Sequence, residues 1–204
     1  YYKTFMWPPS FWYKIYEPFI RMAAGFGEAS IKHDKERYEH KYEYCDLLIT
    51  GSGPSGLASA YAAAKNGARV ILAEDKPRFG GSLLTSDVNI GNQTGVEWTE
   101  KIIAELKSMP NVTVKNRSQV FGYYDHNMLV MSERISDHLP KTQKYLPKQR
   151  LWYIRANEVL ISSGSIERPL VFGNNDTPGV MLSSAAKEYM KVYGVLVGKK
   201  PLIF

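Results

Sequence analysis

The chain has 204 residues, a formal net charge of +6, 44% hydrophobic and 23% charged residues, proportions that suit one sizeable domain with flanking arms. It holds no apolar run long enough to span a membrane and no signal-peptide pattern, and its single cysteine, Cys45, excludes an internal disulfide framework and fits a reducing, cytoplasmic setting. Its basic residues are scattered, densest at Lys141, Lys144, Lys148 and Arg150, which reads as a solvated loop, with contact to an acidic partner as the alternative and nucleic-acid binding the weaker reading.

Residues 1–44 differ from the rest. Tyr2, Phe5, Trp7, Phe11, Trp12, Tyr13, Tyr16 and Phe19 crowd the first twenty positions around Pro8 and Pro9. So many aromatic rings are costly to leave in water, so packing on the domain body or on a neighbour is expected. A helix is predicted from about Phe11 to Ala24, ended by the Gly25–Gly27 region. Residues 31–44 are charged and tyrosine-rich and read as an arm leading into the fold. An RNA-stacking platform would need an alternating basic strand pattern that this segment lacks.

The stretch from Asp46 to Glu74 carries the most information. Leu47, Leu48 and Ile49 form a short apolar run, as in a parallel strand buried on both faces. Gly51 permits a tight turn, Gly53 allows close approach of a pyrophosphate, and Gly56 lets a helix pack against the strand. Pro54 suits the first helical turn, because the amide it lacks would have had no partner there. The alanine-rich helix is predicted over Pro54–Asn66, presents free amides at its start, and stops at Asn66-Gly67. Val70-Ile71-Leu72 is a second strand, and Glu74 follows it with a carboxylate placed to accept both hydroxyls of an adenosine ribose. That charge would repel a 2′-phosphate, which favours NAD or FAD over NADP. Gly51, Gly53, Pro54, Ser55, Gly56 and Glu74 are therefore candidate cofactor residues; a nucleotide-free glycine turn is the competing reading.

Asp75 to Ser82 is a loop whose paired Gly80 and Gly81 can bring backbone amides to phosphates, which adds Asp75, Gly80, Gly81 and Ser82 to the candidates. A plain surface turn is the alternative. Apolar residues at 98, 102, 103 and 106 predict an amphipathic helix over Val96–Met109, stopped by Pro110-Asn111. Strands are predicted at Val112–Val114, Gln119–Tyr124 and Met128–Ser132, with a turn at Asp125–Asn127. A polar loop follows at 135–149, then strands at Leu151–Arg155 and Glu158–Ile161. Ser163 and Gly164, just after the last strand, are candidates for close passage by the dinucleotide, an ordinary strand-ending turn being the bland reading. A final helix is predicted over Ser183–Tyr193. His33, His40, His126 and His138 match no metal spacing, and no metal site is expected.

This succession predicts an α/β, Rossmann-like FAD/NAD(P)-binding domain: a mostly parallel sheet flanked by helices, with a small antiparallel insertion. The expected layout is an arm over 1–44, the dinucleotide domain over 45–197, and the start of a truncated second nucleotide domain at 198–204.

Several segments resemble the alpha subunit of heterotetrameric sarcosine oxidase. They are Lys3-Thr4-Phe5-Met6-Trp7-Pro8-Pro9, Tyr16-Glu17-Pro18, Arg21-Met22-Ala23-Ala24-Gly25, Gly51-Ser52-Gly53-Pro54-Ser55-Gly56-Leu57 and Phe79-Gly80-Gly81-Ser82-Leu83-Leu84. Ile166-Glu167-Arg168-Pro169-Leu170-Val171-Phe172 and Asn175-Asp176-Thr177-Pro178-Gly179-Val180-Met181 match as well. The resemblance implies a parent enzyme that oxidatively demethylates sarcosine to glycine, hydrogen peroxide and a one-carbon unit accepted by tetrahydrofolate. It further implies beta, gamma and delta partner subunits, FAD in the beta subunit, FMN at the alpha–beta interface, and NAD in the domain represented by this chain. No catalytic residue is expected here, and the fragment alone is expected to be inactive. Family members tend to carry Ala-Thr-Gly where this chain has Ser162-Ser163-Gly164, and a later segment that completes the site is missing. The rivals are a related opine, proline or hydroxyproline dehydrogenase subunit holding FAD, and a scaffold with a vestigial site.

Overall fold

The computed structural model describes residues 7–27, 29–140, 145–200 and 202–203. Tyr2, the Lys3–Met6 part of the arm motif, Lys141, Lys144, Pro201 and Phe204 lie outside the described residues. The chain divides into two compact units at Lys35/Glu36.

In the first unit, one π-helical turn (Trp12–Tyr16) runs into α1 (Glu17–Ala23). Pro18 sits in the first turn of α1, and Arg21 pairs with Glu17 one turn away. The Gly25 amide bonds to the Met22 carbonyl at 3.1 Å and ends the helix as expected. Trp7, Tyr13 and Phe19 are exposed.

The second unit contains β1 (Tyr38–Thr50), α2 (Pro54–Lys65), β2 (Val70–Ala73), β3 (Asn89–Ile90), β4 (Gln93–Thr94) and α3 (Gly95–Ser108). Then come β5 (Val112–Lys115), β6 (Ser118–Tyr124), β7 (Met128–Arg134), β8 (Gln149–Ile161) and α4 (Ser183–Lys191). One sheet takes the order β5-β2-β1-β8-β7-β6. Its first four strands are mutually parallel, whereas β7 runs antiparallel to both β8 and β6. The expected α/β architecture is borne out, and its antiparallel strands, β7 and β6, extend the edge of the main sheet.

The core has two parts. Leu57 and Ala60 of α2 and Ile102, Ile103 and Leu106 of α3 pack with Ile49, Val70 and Leu72. Leu48, Ile71 and Ala73 pack instead with Leu129, Met131, Trp152 and Ile154. Neighbours along β1 and β2 thus alternate between two apolar surroundings, which explains why their sequences are continuously apolar. Cys45 belongs to the second part, and burial, with Asp46 and Glu43 nearby, pushes its thiol up to about 12, the state of an inert buried hydrophobe.

Two strands are longer than their sequences predict. β1 starts at Tyr38, inside the segment read as an arm, because residues 38–45 pair with 149–156 of β8. The alternation of aromatic and charged residues there is a strand pattern in which side-chain pairs across the ladder replace apolar burial. Tyr42 stacks on Tyr153 with ring centroids 5.0 Å apart. Arg150 bonds Glu39 at 2.9 Å and Glu133 at 3.3 Å. The indole N–H of Trp152 donates to Glu133 at 2.6 Å, and Lys115 lies 4.2 Å from the centre of the Trp152 ring.

The pairing of β1 with β8 passes from Cys45–Ala156 to Leu47–Glu158 and skips Asp46 and Asn157. Side chains fill that joint. Arg69 donates to both carboxylate oxygens of Asp46, at 3.0 and 2.8 Å, and its backbone N–H adds a third bond at 2.9 Å. These donors hold the Asp46 carboxyl at about 2. Asn157 donates to Asp46 at 3.2 Å and accepts from the Tyr44 hydroxyl at 2.8 Å.

The β3–β4 pair was not legible in the sequence, each strand being two residues long. Thr94 caps α3 in a reciprocal box with Glu97. Beyond β8, Glu167 of the Glu-Arg-Pro segment accepts from the Ser184 amide at 2.8 Å and the Ser183 hydroxyl at 2.9 Å at the start of α4. Among the described residues no helix is long and apolar enough to cross a membrane, and no group of three or more metal-binding side chains occurs.

Candidate dinucleotide site

The carboxyl ends of β1, β2 and β8 lie side by side, and the glycine turn joins them. Gly51 leaves β1 at φ +100°, with its amide bonded to the Ala73 carbonyl at 2.8 Å. A Cβ on Gly51 would lie 2.4 Å from the Ser162 carbonyl oxygen, and one on Gly56 would lie 2.0 Å from the Gly51 oxygen. Neither position admits a side chain without moving backbone. Gly53 is different: a Cβ there would meet nothing within 4 Å. Its missing side chain leaves open space in front of α2, which no side chain caps. The first helical bond runs from Leu57 N–H to the Gly53 carbonyl at 2.9 Å. The amides of Ser55 and Gly56 therefore precede any helical acceptor, and the helix presents its positive end to that space.

The loop after β2 closes one wall. The Gly80 amide donates to the Ser52 carbonyl at 3.0 Å and to the Ser52 hydroxyl at 3.2 Å. A Cβ on Gly81 would stand 2.9 Å from the Gly53 Cα, so this loop leans directly on the turn.

Glu74 is buried beside these segments, 6% exposed. One carboxylate oxygen, Oε2, accepts from the Ser52 amide at 2.9 Å and from the Ser52 hydroxyl at 2.5 Å. The other, Oε1, accepts from the Lys76 amide at 3.0 Å. Ser52, wholly buried, thus binds the turn, the acid and the Gly80 loop together. Sequence reasoning passed over it as the variable position between two glycines, where only tertiary contact reveals its role.

Ser162 was also missed as a participant. Its N–H continues the ladder to the Thr50 carbonyl at 2.8 Å, and its hydroxyl is buried without a hydrogen-bond partner among the described residues. Ser163 brings its Cα within 3.2 Å of the place a Gly51 Cβ would occupy. The structure therefore gathers Gly51, Gly53, Gly56, Glu74, Gly80, Gly81 and Ser163, with Pro54 and Ser55 on the open start of α2. Asp75, Ser82 and Gly164 are exposed, and no described contact ties the Asp75 or Ser82 side chain to the turn. Asp75 uses its carbonyl to accept from Arg134 at 2.7 Å.

An open cradle at Gly53, helix amides that precede any helical acceptor, a buried carboxylate with spare acceptor capacity and a hydroxyl without a hydrogen-bond partner among the described residues fit the ADP half of a dinucleotide. The amides would meet the pyrophosphate and Glu74 the ribose.

A model of the FAD dependent oxidoreductase family matches residues 46–143. Over its whole length the chain is 47% identical to the alpha subunit of sarcosine oxidase from Rhizobium meliloti (strain 1021). The chain is similar, residue for residue, to one part of sarcosine oxidase alpha subunits. It spans 21% of that relative's length. A weaker match, 26% identical over 79% of the chain and 33% of the relative, is an opine oxidase subunit from Agrobacterium tumefaciens (strain Ach5). Among solved structures, the L-proline dehydrogenase from P. horikoshii shares the fold, with a TM-score of 0.62 at 22% identity over 84% of this chain and 32% of that one.

Proposed function

We propose that this chain is the dinucleotide-binding part of the alpha subunit of a sarcosine oxidase complex, an oxidoreductase assembly in which it holds the ADP half of its cofactor. The observation that carries the reading is the Gly53 opening, flanked by the uncapped first turn of α2 and the buried Glu74 carboxylate. When bound, the cofactor supplies redox chemistry. This chain's own residues bind and orient it: Gly53 and the Ser55 and Gly56 amides hold phosphate, Glu74 holds ribose, and Gly80, Gly81 and Ser163 wall the site. Asp75, Ser82 and Gly164 form its rim, and no side chain of this chain takes part in the reaction.

The family resemblance of the sequence segments supplies the rest of the proposal: sarcosine as substrate, and beta, gamma and delta subunits as partners, with FMN and FAD mainly on or shared with the beta subunit. Residues 1–35 serve as a connecting arm, 36–197 as the dinucleotide domain, whose first strand takes in residues 38–44 of the segment read as an arm, and 198–204 as the start of a second nucleotide domain. Full-length identity of 47%, against 26% over part of the chain for the opine oxidase relative, supports sarcosine oxidase over opine oxidase.

We assign NAD to this site, with FAD as the alternative; the family match favours flavin, and the Glu74 carboxylate suits the unphosphorylated ribose of either. Denaturing the purified complex and separating its released nucleotides tests this. NAD in amounts equal to the alpha subunit is the expected result, and FAD, counted apart from FMN, at twice the beta-subunit stoichiometry with no NAD would overturn it. Replacing Gly53 with Trp tests the scaffold alternative, because unchanged assembly and turnover without bound nucleotide would leave the site no functional role.

A further inference from the structure

The reading of Glu74 as the ribose-binding residue has a stereochemical limit that its neighbours impose. A carboxylate offers about four lone-pair positions. Oε2 is filled by the Ser52 amide at 2.9 Å and the Ser52 hydroxyl at 2.5 Å, and half of Oε1 by the Lys76 amide at 3.0 Å. One acceptor position is left, on Oε1. The Ser52 hydroxyl has little freedom to yield, because it is wholly buried and also accepts from the Gly80 amide at 3.2 Å.

We propose that Ser52 is a specificity-determining residue that makes Glu74 a reader of a single ribose hydroxyl instead of both. The inference rests on the proposed nucleotide site and concerns how that site discriminates its ligand. With Oε2 occupied from within the protein, one hydroxyl of the adenosine ribose donates to Oε1 and the other finds no acceptor on Glu74. Removing the Ser52 hydroxyl frees a position on Oε2, and the second ribose hydroxyl then gains a partner. Ser52 acts through Glu74 and is a positioning residue.

Titration calorimetry of the full chain with ADP, 2′-deoxy-ADP and 3′-deoxy-ADP tests the inference. For the unaltered protein, one deoxy analogue should bind on the order of tenfold more weakly than ADP, the loss of one hydrogen bond to a charged group, and the other within about twofold of ADP. In Ser52→Ala, both analogues should fall behind ADP. Ser52→Thr, which keeps the hydroxyl, should retain the original pattern, a selectivity readout that a merely structural role for Ser52 would not produce. Equal losses for both analogues in the unaltered protein would overturn the inference while leaving the nucleotide site standing. So would a Ser52→Ala protein that loses affinity for all three ligands by the same factor. If Ser52→Ala does not fold, the unaltered protein and Ser52→Thr decide the matter alone. Absence of any ADP binding would remove the nucleotide site itself, and this inference with it.

Discussion

β1 and β8 run side by side for most of their length, yet their two ends are held by opposite means. At the carboxyl end the backbone is packed so tightly that a single added carbon on Gly51 or Gly56 would overlap a carbonyl at 2.4 or 2.0 Å. At the amino end the strands are joined by stacked rings and ion pairs, and Tyr42 remains 80% exposed. The first end is specified by absence of side chains and the second by their pairing. Steric exclusion rises steeply with displacement, whereas surface pairs are individually small and replaceable. A binding site benefits from the former, because its backbone donors must not drift.

Substitutions at the two ends should therefore differ in kind. The largest effect is expected for Gly56→Val, which should cost about 3 kcal/mol or more by overpacking, read as a fall in the urea midpoint at constant slope. An unchanged midpoint would mean that the turn is not as tight as the structure has it. Gly53→Val, three residues earlier, has open space around it, so stability should stay within about 0.5 kcal/mol while ADP affinity falls about tenfold or more. That contrast separates packing from ligand approach within one turn.

At the amino end, Trp152→Phe removes the donor to Glu133 but leaves Arg150 and Lys115 beside that carboxylate, with an expected cost of about 1–2 kcal/mol. Tyr42→Ala should cost only about 0.5 kcal/mol, the low end for an exposed cross-strand pair. If it matched Gly56→Val, the distinction between the ends would fail.

The smallest effect is expected from the joint between them. The Asp46 carboxyl is held at about 2, below its usual value near 4, chiefly by the Arg69 guanidinium. A depressed folded-state value means that its contribution is complete above the unfolded value and disappears as pH falls through about 2. Asp46→Asn should therefore lower the unfolding midpoint at neutral pH and converge with the unaltered protein near pH 2; a constant difference across that range would contradict the assignment.

Much of this was legible before the structure. The Asp46–Glu74 unit is local, its periodicity and glycines obey fixed geometry, and its helix and second strand fall within a residue of their predicted bounds. Residues 38–44 were read as an arm because alternating tyrosine and charge carries no apolar signal, and only the partner strand turns that alternation into a ladder. Ala156 and Asn157 made β8 read as two strands, though the sheet carries it straight through. The glycines and Glu74 could be placed from spacing, but the Ser52 hydroxyl could not, because its partners lie 22 and 28 residues away.

The skipped pair at Asp46 and Asn157 has a dynamic consequence. A ladder without a gap opens as one unit, since each backbone bond supports the next; a gap filled by side chains lets two stretches open separately. Amides of residues 38–45 should then exchange with solvent through local fraying that leaves 47–50 closed. The outer sheet can loosen on a neighbouring surface while the nucleotide turn keeps its shape, which gives the molecule a compliant edge and a rigid centre along the same two strands.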